Sequence, residues 1–125
     1  STGGRHHAET EIPQMLERQA AAWNAGDLEA FMAPYWHSPD LTFSSGGKVT
    51  RGWQSTLDRY RGRYPTPEAM GRLTFSDLEV TELDRNVALV LTGVAMAFVL
   101  AFSLVLRKDS GRWVIVHDHT SVDAP

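Results

Sequence analysis

Ser103-Leu-Val-Leu-Arg-Lys-Asp-Ser-Gly-Arg-Trp-Val-Ile-Val-His-Asp-His-Thr-Ser121 reads as two β-strands folded back on a tight turn. Asp109-Ser110-Gly111 carries the turn, because these residue types accept the backbone angles that a short hairpin loop demands. The last strand then runs from Arg112 to Val122 and is rich in β-formers. Side chains alternate along a strand, so His117 and His119 share one face and Asp118 takes the other. A one-residue slip exchanges the faces, and the residue pattern leaves both assignments open.

Upstream, Val87 to Leu106 holds no charged residue. A bilayer-spanning helix needs about 20 apolar residues, so this run meets the length requirement. It is β-rich at both ends, however, and the amphipathic helices elsewhere would have no core without it. Two adjacent strands, Val87 to about Phe98 and about Leu100 to Lys108, are the better reading. Between Met96 and Phe102 there is no Gly, Pro, Asn or Asp to make their turn. Either a flexible loop is missing there or the tip has been rebuilt with apolar residues.

Further upstream, Leu73, Phe75, Leu78 and Val80 fit a strand with an irregularity near Ser76-Asp77. Asp84-Arg85-Asn86 forms the next turn. The first half of the chain is helical in period. Ile12, Met15, Leu16, Ala20 and Trp23 make one apolar stripe, with Gln19 its polar member. Thr10 is the expected N-cap, and Pro13 is tolerable within a first turn. Residues 1–9 are expected to form a flexible tail ahead of a single domain at 10–125. Gly26 suits a left-handed C-cap, and Asp27 caps a short helix bearing Leu28, Phe31 and Met32. Asp40 to Phe43 and Lys48 to Arg51 pair as a small hairpin around Ser44-Ser45-Gly46-Gly47. A third helix presents Trp53, Leu57 and Tyr60 and ends before Pro65. Helices first and antiparallel strands after give an α+β layout, with the helices on one face of the sheet.

Composition removes several functions. The chain has 125 residues, 12 Lys and Arg against 15 Asp and Glu, and a formal charge of -3. The basic residues are scattered, which argues against nucleic acid as a partner. With no cysteine, disulfides, zinc-thiolate sites and thiol catalysis drop out. No basic region followed by an apolar core opens the sequence, so a cytoplasmic location is expected, with no membrane partner. Neither a glycine-rich phosphate loop nor a Gly-x-Ser-x-Gly elbow is present.

The stretch from Ser103 to Ser121 resembles the final hairpin of the SnoaL-like branch of the nuclear transport factor 2-like superfamily. It is also similar to the end of the calcium/calmodulin-dependent kinase II association domain. Ala21-Ala22-Trp23-Asn24-Ala25-Gly26-Asp27-Leu28-Glu29-Ala30-Phe31 resembles the family's junction of its first two helices. Leu41-Thr42-Phe43 and Thr50-Arg51-Gly52-Trp53 resemble its first hairpin and third helix. The resemblance implies a cone, in which a strongly bent antiparallel sheet packs on three N-terminal helices around a central cavity. It also implies dimers formed through the sheet's outer face. Function is not implied, because this fold hosts isomerases, cyclases, dehydratases and pure association modules. Val94-Ala95-Met96-Ala97-Phe98 is more apolar than the corresponding segment of the family, so a cavity lined by it favours a small apolar or aromatic molecule.

The resemblance places acid–base groups in the cone, and Asp118 and His119 are the candidates from the last strand. His37 and Asp40, near the expected rim, are further polar candidates, with a surface role as the plainer account of each. A histidine near neutral pKa, or a carboxylate raised by apolar surroundings, can move a proton beside a carbonyl without a cofactor. His117 and His119 supply two imidazoles, but a zinc site needs a third ligand and the spacing fixes none, so no metal is expected. Trp23, Tyr35, Trp36, Trp53 and Tyr60, with Met96 and Phe98, are candidate ligand contacts, although packing accounts for most of the aromatics. Three functions follow: a ligand pocket with isomerase- or cyclase-type proton transfer, a dimeric association module, or a redesigned scaffold whose segment Val94 to Ala101 was built for a chosen hydrophobic compound.

Overall fold

Ten elements make up the computed structural model, which describes residues 3–95 and 99–122. Helix α1 (Gly3–Asn24) is followed by α2 (Leu28–Met32), strands β1 (Thr42–Ser45) and β2 (Lys48–Arg51), and helices α3 (Trp53–Arg63) and α4 (Pro67–Met70). Four long strands complete the chain: β3 (Thr74–Asp84), β4 (Val87–Ala95), β5 (Val99–Asp109) and β6 (Arg112–Val122). They form one six-stranded, unclosed, curled sheet in the order β2-β1-β6-β5-β4-β3, with the helices on its inner face.

The apolar stripe of α1 is the core stripe. Ile12, Met15, Leu16 and Trp23 are buried, and Gln19 is buried with its Nε2 donating to the Phe31 carbonyl at 3.0 Å. The helix ends in a Schellman arrangement at Gly26 (φ +75°). There the Gly26 N–H reaches the Trp23 carbonyl at 2.9 Å, and the Asp27 N–H reaches that of Ala22 at 2.9 Å. Asp27 then caps α2 as expected, its Oδ1 accepting from the Ala30 N–H at 3.1 Å. At the other end the helix start differs from the expected N-cap at Thr10. The helix begins at Gly3, Thr10 lies inside it, and Ala8 is fully buried in the core. Pro13 is therefore interior, where it removes one helical hydrogen bond.

Helix α4 escaped the pattern because it is a single turn. Thr66 caps it through Oγ1, which accepts from Ala69 N at 3.2 Å, and Pro67 occupies the first helical position. That turn is tied to α1 twice over. The Trp23 indole donates to the Met70 carbonyl at 2.9 Å, and Asn24 exchanges hydrogen bonds with both backbone groups of Leu73 at 2.6 and 3.1 Å.

The uncharged run from Val87 to Leu106 forms β4 and β5, paired antiparallel from Val87↔Arg107 to Ala95↔Val99. The connection that lacked a turn residue lies outside the described residues, as do Met96 and Phe98. Among the described residues, no helix is long and apolar enough to cross a membrane. The irregularity near Ser76-Asp77 is a bulge, with the register shifting between Ser76 and Glu79 and Asp77 at φ +52°. Strand β1 starts at Thr42 rather than Asp40 and keeps Ser44 and Ser45, so Gly46-Gly47 alone make its turn. The sheet departs from the antiparallel expectation at one seam, where β1 pairs with β6 in parallel, Phe43 opposite Asp118. This pairing joins distant parts of the chain, which local periodicity cannot reveal.

Candidate functional site

The faces of β6 are set by one inserted residue. Ile115 pairs with Leu106 and His117 with Val105, so Val116 is the extra residue of a β-bulge. Before the bulge, Ile115 lies opposite the buried Leu106 and is fully buried, as Trp113 two residues earlier and Val114 between them are buried too. Beyond it, even-numbered Asp118 and Thr120 are buried, opposite Leu104 and Phe102. His117 and His119 thereby fall on the outer face. His119 is exposed, and His117 bonds Thr42 Oγ1 through Nδ1 at 2.6 Å. Its own partial burial, and then the neighbouring His119, hold the His117 pKa below the ordinary value. Among the described residues no three potential metal ligands lie together.

Asp118 is 0% exposed and both of its oxygens are used. Tyr35 donates to Oδ2 at 2.6 Å and Thr120 Oγ1 donates to Oδ1 at 2.8 Å. Tyr35 reaches the carboxylate because the chain after α2 runs beside β6. The Trp36 N–H meets the Ile115 carbonyl at 2.8 Å, and the Ile115 N–H meets that of Pro34 at 2.9 Å. Burial pushes the Asp118 carboxyl up to about 6, against the partial relief of the two hydroxyl donors. Burial, and then the charge of Asp118, raises the Tyr35 and Tyr60 hydroxyls well above 10.0, and the two hydroxyls interact. Both tyrosines are thus neutral donors at physiological pH.

A cavity of about 300 Å³ opens next to this group. Its apolar wall is Phe43, Tyr60, Tyr64, Leu100 and Phe102, and Thr120 contributes the one hydroxyl that also bonds Asp118. Arg59 and Arg63, one helical turn apart on α3, complete the solvent side, half-buried and exposed respectively.

Of the expected site residues, this arrangement brings together Asp118, Tyr35 and Tyr60. Tyr60 lines the cavity, and Tyr35 stands behind it. Trp23 is core, packed edge-on against Phe31, Tyr60 and Tyr64 at 5.0, 5.8 and 5.1 Å. Trp36 carries Arg107 over its ring at 4.5 Å, and Trp53 donates its indole N–H to the Met32 carbonyl at 2.9 Å. His37 is exposed and stacks on Trp53 at 4.3 Å, apart from the carboxylate. Asp40 is likewise exposed. The sequence reading passed over Arg59, Tyr64, Leu100 and Thr120. Period-two spacing from the buried Leu104 points to Leu100 and Phe102, and spacing of four on α3 pairs Arg59 with Arg63 and Tyr60 with Tyr64.

A SnoaL-like domain profile matches residues 12–125, nearly the whole chain. The chain belongs to the SnoaL-like family. The SnoaL-like fold recurs in solved structures. An NTF-2 like protein of unknown function from Shewanella oneidensis MR-1 is 36% identical, with a TM-score of 0.86 over 90% of this chain and 98% of that one. An uncharacterised protein with a cystatin-like fold from Caulobacter vibrioides gives 0.78 at 16% identity, covering 94% and 91%. One from Nostoc punctiforme PCC 73102, also of unknown function, gives 0.75 at 14%, covering 92% and 90%. No curated protein matches this SnoaL-like chain.

Proposed function

We propose that the cavity binds a small apolar or aromatic molecule and that Asp118 exchanges protons with it without a cofactor, in chemistry of the isomerase or cyclase type. One observation carries this reading. A fully buried carboxyl, pushed up to about 6, stands one hydroxyl behind an apolar cavity wall. A base whose pKa lies near the working pH is mostly ionised yet still able to return its proton. Thr120 relays: its Oγ1 takes a proton from a carbon beside the ligand's carbonyl while passing its own to Asp118. The reverse transfer, to a different carbon, completes an isomerisation. Tyr60, neutral and on the wall, donates to the oxygen where negative charge develops. This reading moves the work from His37 and His119 to Thr120 and Tyr60.

The test is hydrogen exchange of a cyclic ketone, 2-tetralone, in deuterium oxide, read by NMR beside the melting shift that the ketone produces. Asp118→Asn is expected to slow exchange by roughly 10²–10⁴-fold. Thr120→Val should slow exchange similarly while keeping the melting shift, because it removes the relay and preserves the wall. Exchange unaffected by either change would sink the relay. No melting shift across a panel of apolar ketones would sink the pocket.

A second reading, the dimeric association module, draws on the sheet's outer face. Leu91 is 41% exposed there on β4, two residues from half-buried Leu89, which faces half-buried Val105 on β5. Apolar side chains at the centre of a sheet face suit a second copy. Light scattering should report a dimer that Leu91→Glu converts to a monomer; a monomeric parent chain removes this reading.

A further inference from the structure

The cavity is charged at one end only. Its wall contains two guanidinium groups and no carboxylate, on a chain whose formal charge is -3. Arg59 is held in place rather than waving in solvent. Its Nη1 donates to Thr50 Oγ1 at 2.9 Å, and its guanidinium carbon lies 5.2 Å from the centroid of the Phe43 ring. Phe43 is itself part of the cavity wall, so the fixed guanidinium lies against the space a ligand would fill. Among the described residues no carboxylate pairs with Arg59, whose side-chain hydrogen bond goes to the Thr50 hydroxyl. Arg61, on another face of the helix, pairs with Glu29 at 2.7 Å.

From the solvent side inward, the order is therefore guanidinium, aromatic and aliphatic wall, then hydroxyls backed by the buried acid. We propose that the cavity selects an organic carboxylate, with a ring system lying between Phe43, Leu100 and Phe102 and its carboxylate gripped by Arg59. This rests on the pocket reading above and adds the ligand's charge and orientation to it. A planar guanidinium matches a carboxylate in two parallel hydrogen bonds, a geometry a single ammonium lacks. The contact with Phe43 and the bond to Thr50 hold the guanidinium before the ligand arrives, which lowers the ordering cost of binding. The carboxylate sits at the solvent end, away from Asp118, whose negative charge would repel it at the floor.

The experiment uses a matched pair, 2-naphthoic acid and its neutral amide, 2-naphthamide, titrated calorimetrically into the intact chain at pH 7.5. The acid is expected to bind at least about tenfold more tightly than the amide, the difference made by one charge-assisted hydrogen-bonded pair. Raising the salt from 50 to 500 mM should weaken the acid several-fold and leave the amide unchanged, since salt screens a charge pair near solvent. Arg59→Gln should bring acid and amide to about the same affinity, and Arg59→Lys should restore only part of the preference. Because the acid–amide comparison is made on the unaltered chain, a variant that folds poorly does not leave the question open. Equal binding of the two compounds overturns the carboxylate assignment and leaves the pocket standing. Binding of neither compound overturns both.

Discussion

Asp118→Asn is expected to stabilise the fold at pH 7.5 by on the order of 3 kcal/mol, and to change it little near pH 4. The reasoning is one of linkage. Unfolding returns the carboxyl to its ordinary value of 3.8, whereas in the folded chain it is pushed up to about 6. Between those values the folded state holds the proton more firmly, so the parent protein loses stability as pH rises from about 4 to about 6. Above that the loss is complete and the curve flattens with respect to this group. Asparagine has no proton to lose and offers the same shape. Its carbonyl accepts from one of Tyr35 and Thr120, and its amide donates to the oxygen of the other. Urea melts of both proteins at several pH values give the difference directly. A variant weaker than the parent by the same amount at every pH would mean that the carboxyl is not raised. Set beside the expected loss of proton exchange, the gain in stability would mark Asp118 as a residue kept at the expense of the fold.

Trp23→Ala is the most damaging core change expected, at about 3–5 kcal/mol. The ring fills the junction of α1, α2, α3 and α4, in edge contact with Phe31, Tyr60 and Tyr64. Its indole N–H is also the donor to the Met70 carbonyl, so truncation strands a buried acceptor, a further cost of about 1–3 kcal/mol. Since small domains are stable by about 5–15 kcal/mol, the variant stands near or past the threshold of unfolding. Trp23→Phe keeps most of the packing and isolates the hydrogen bond. Denaturant midpoints for the pair separate the two terms. A Trp23→Ala protein within about 1 kcal/mol of the parent would contradict the packing described.

What the sequence revealed depended on the range of the forces involved. Helix α1 announced itself through its stripe from Ile12 to Trp23, and its end through Gly26 and Asp27, because caps and periodicity are local. The hairpin at Ser110-Gly111 was equally plain, and both residues do adopt positive φ, at +53° and +81°. The uncharged run could be assigned to strands only by asking what else would fill the core. Partners distant in sequence were hidden: the parallel seam of β1 with β6, and the reach of Tyr35 to Asp118. Arg59 looked like any helical surface residue, since its bond to Thr50 and its seat on Phe43 need the hairpin folded against α3. The facing of the last strand was undecidable for a sharper reason. Val116 is indistinguishable in kind from its β-forming neighbours, and nothing in its chemistry says that it is the bulged residue.

That bulge has an evolutionary meaning. By pairing, Ile115 faces inward before Val116 and Asp118 and Thr120 after it, so the two histidines and the aspartate are alternatives for a single inward place. Without the bulge the same residues would run in simple alternation, turning the imidazoles inward and the carboxylate out. Deleting Val116 does not do this: Ile115 and His117 already face consecutive residues of β5, so the bulge closes and Asp118 stays inside. The strand can thus lose one residue at this place and keep its acidic interior, a tolerance that lets descendants of one scaffold change length without changing chemistry.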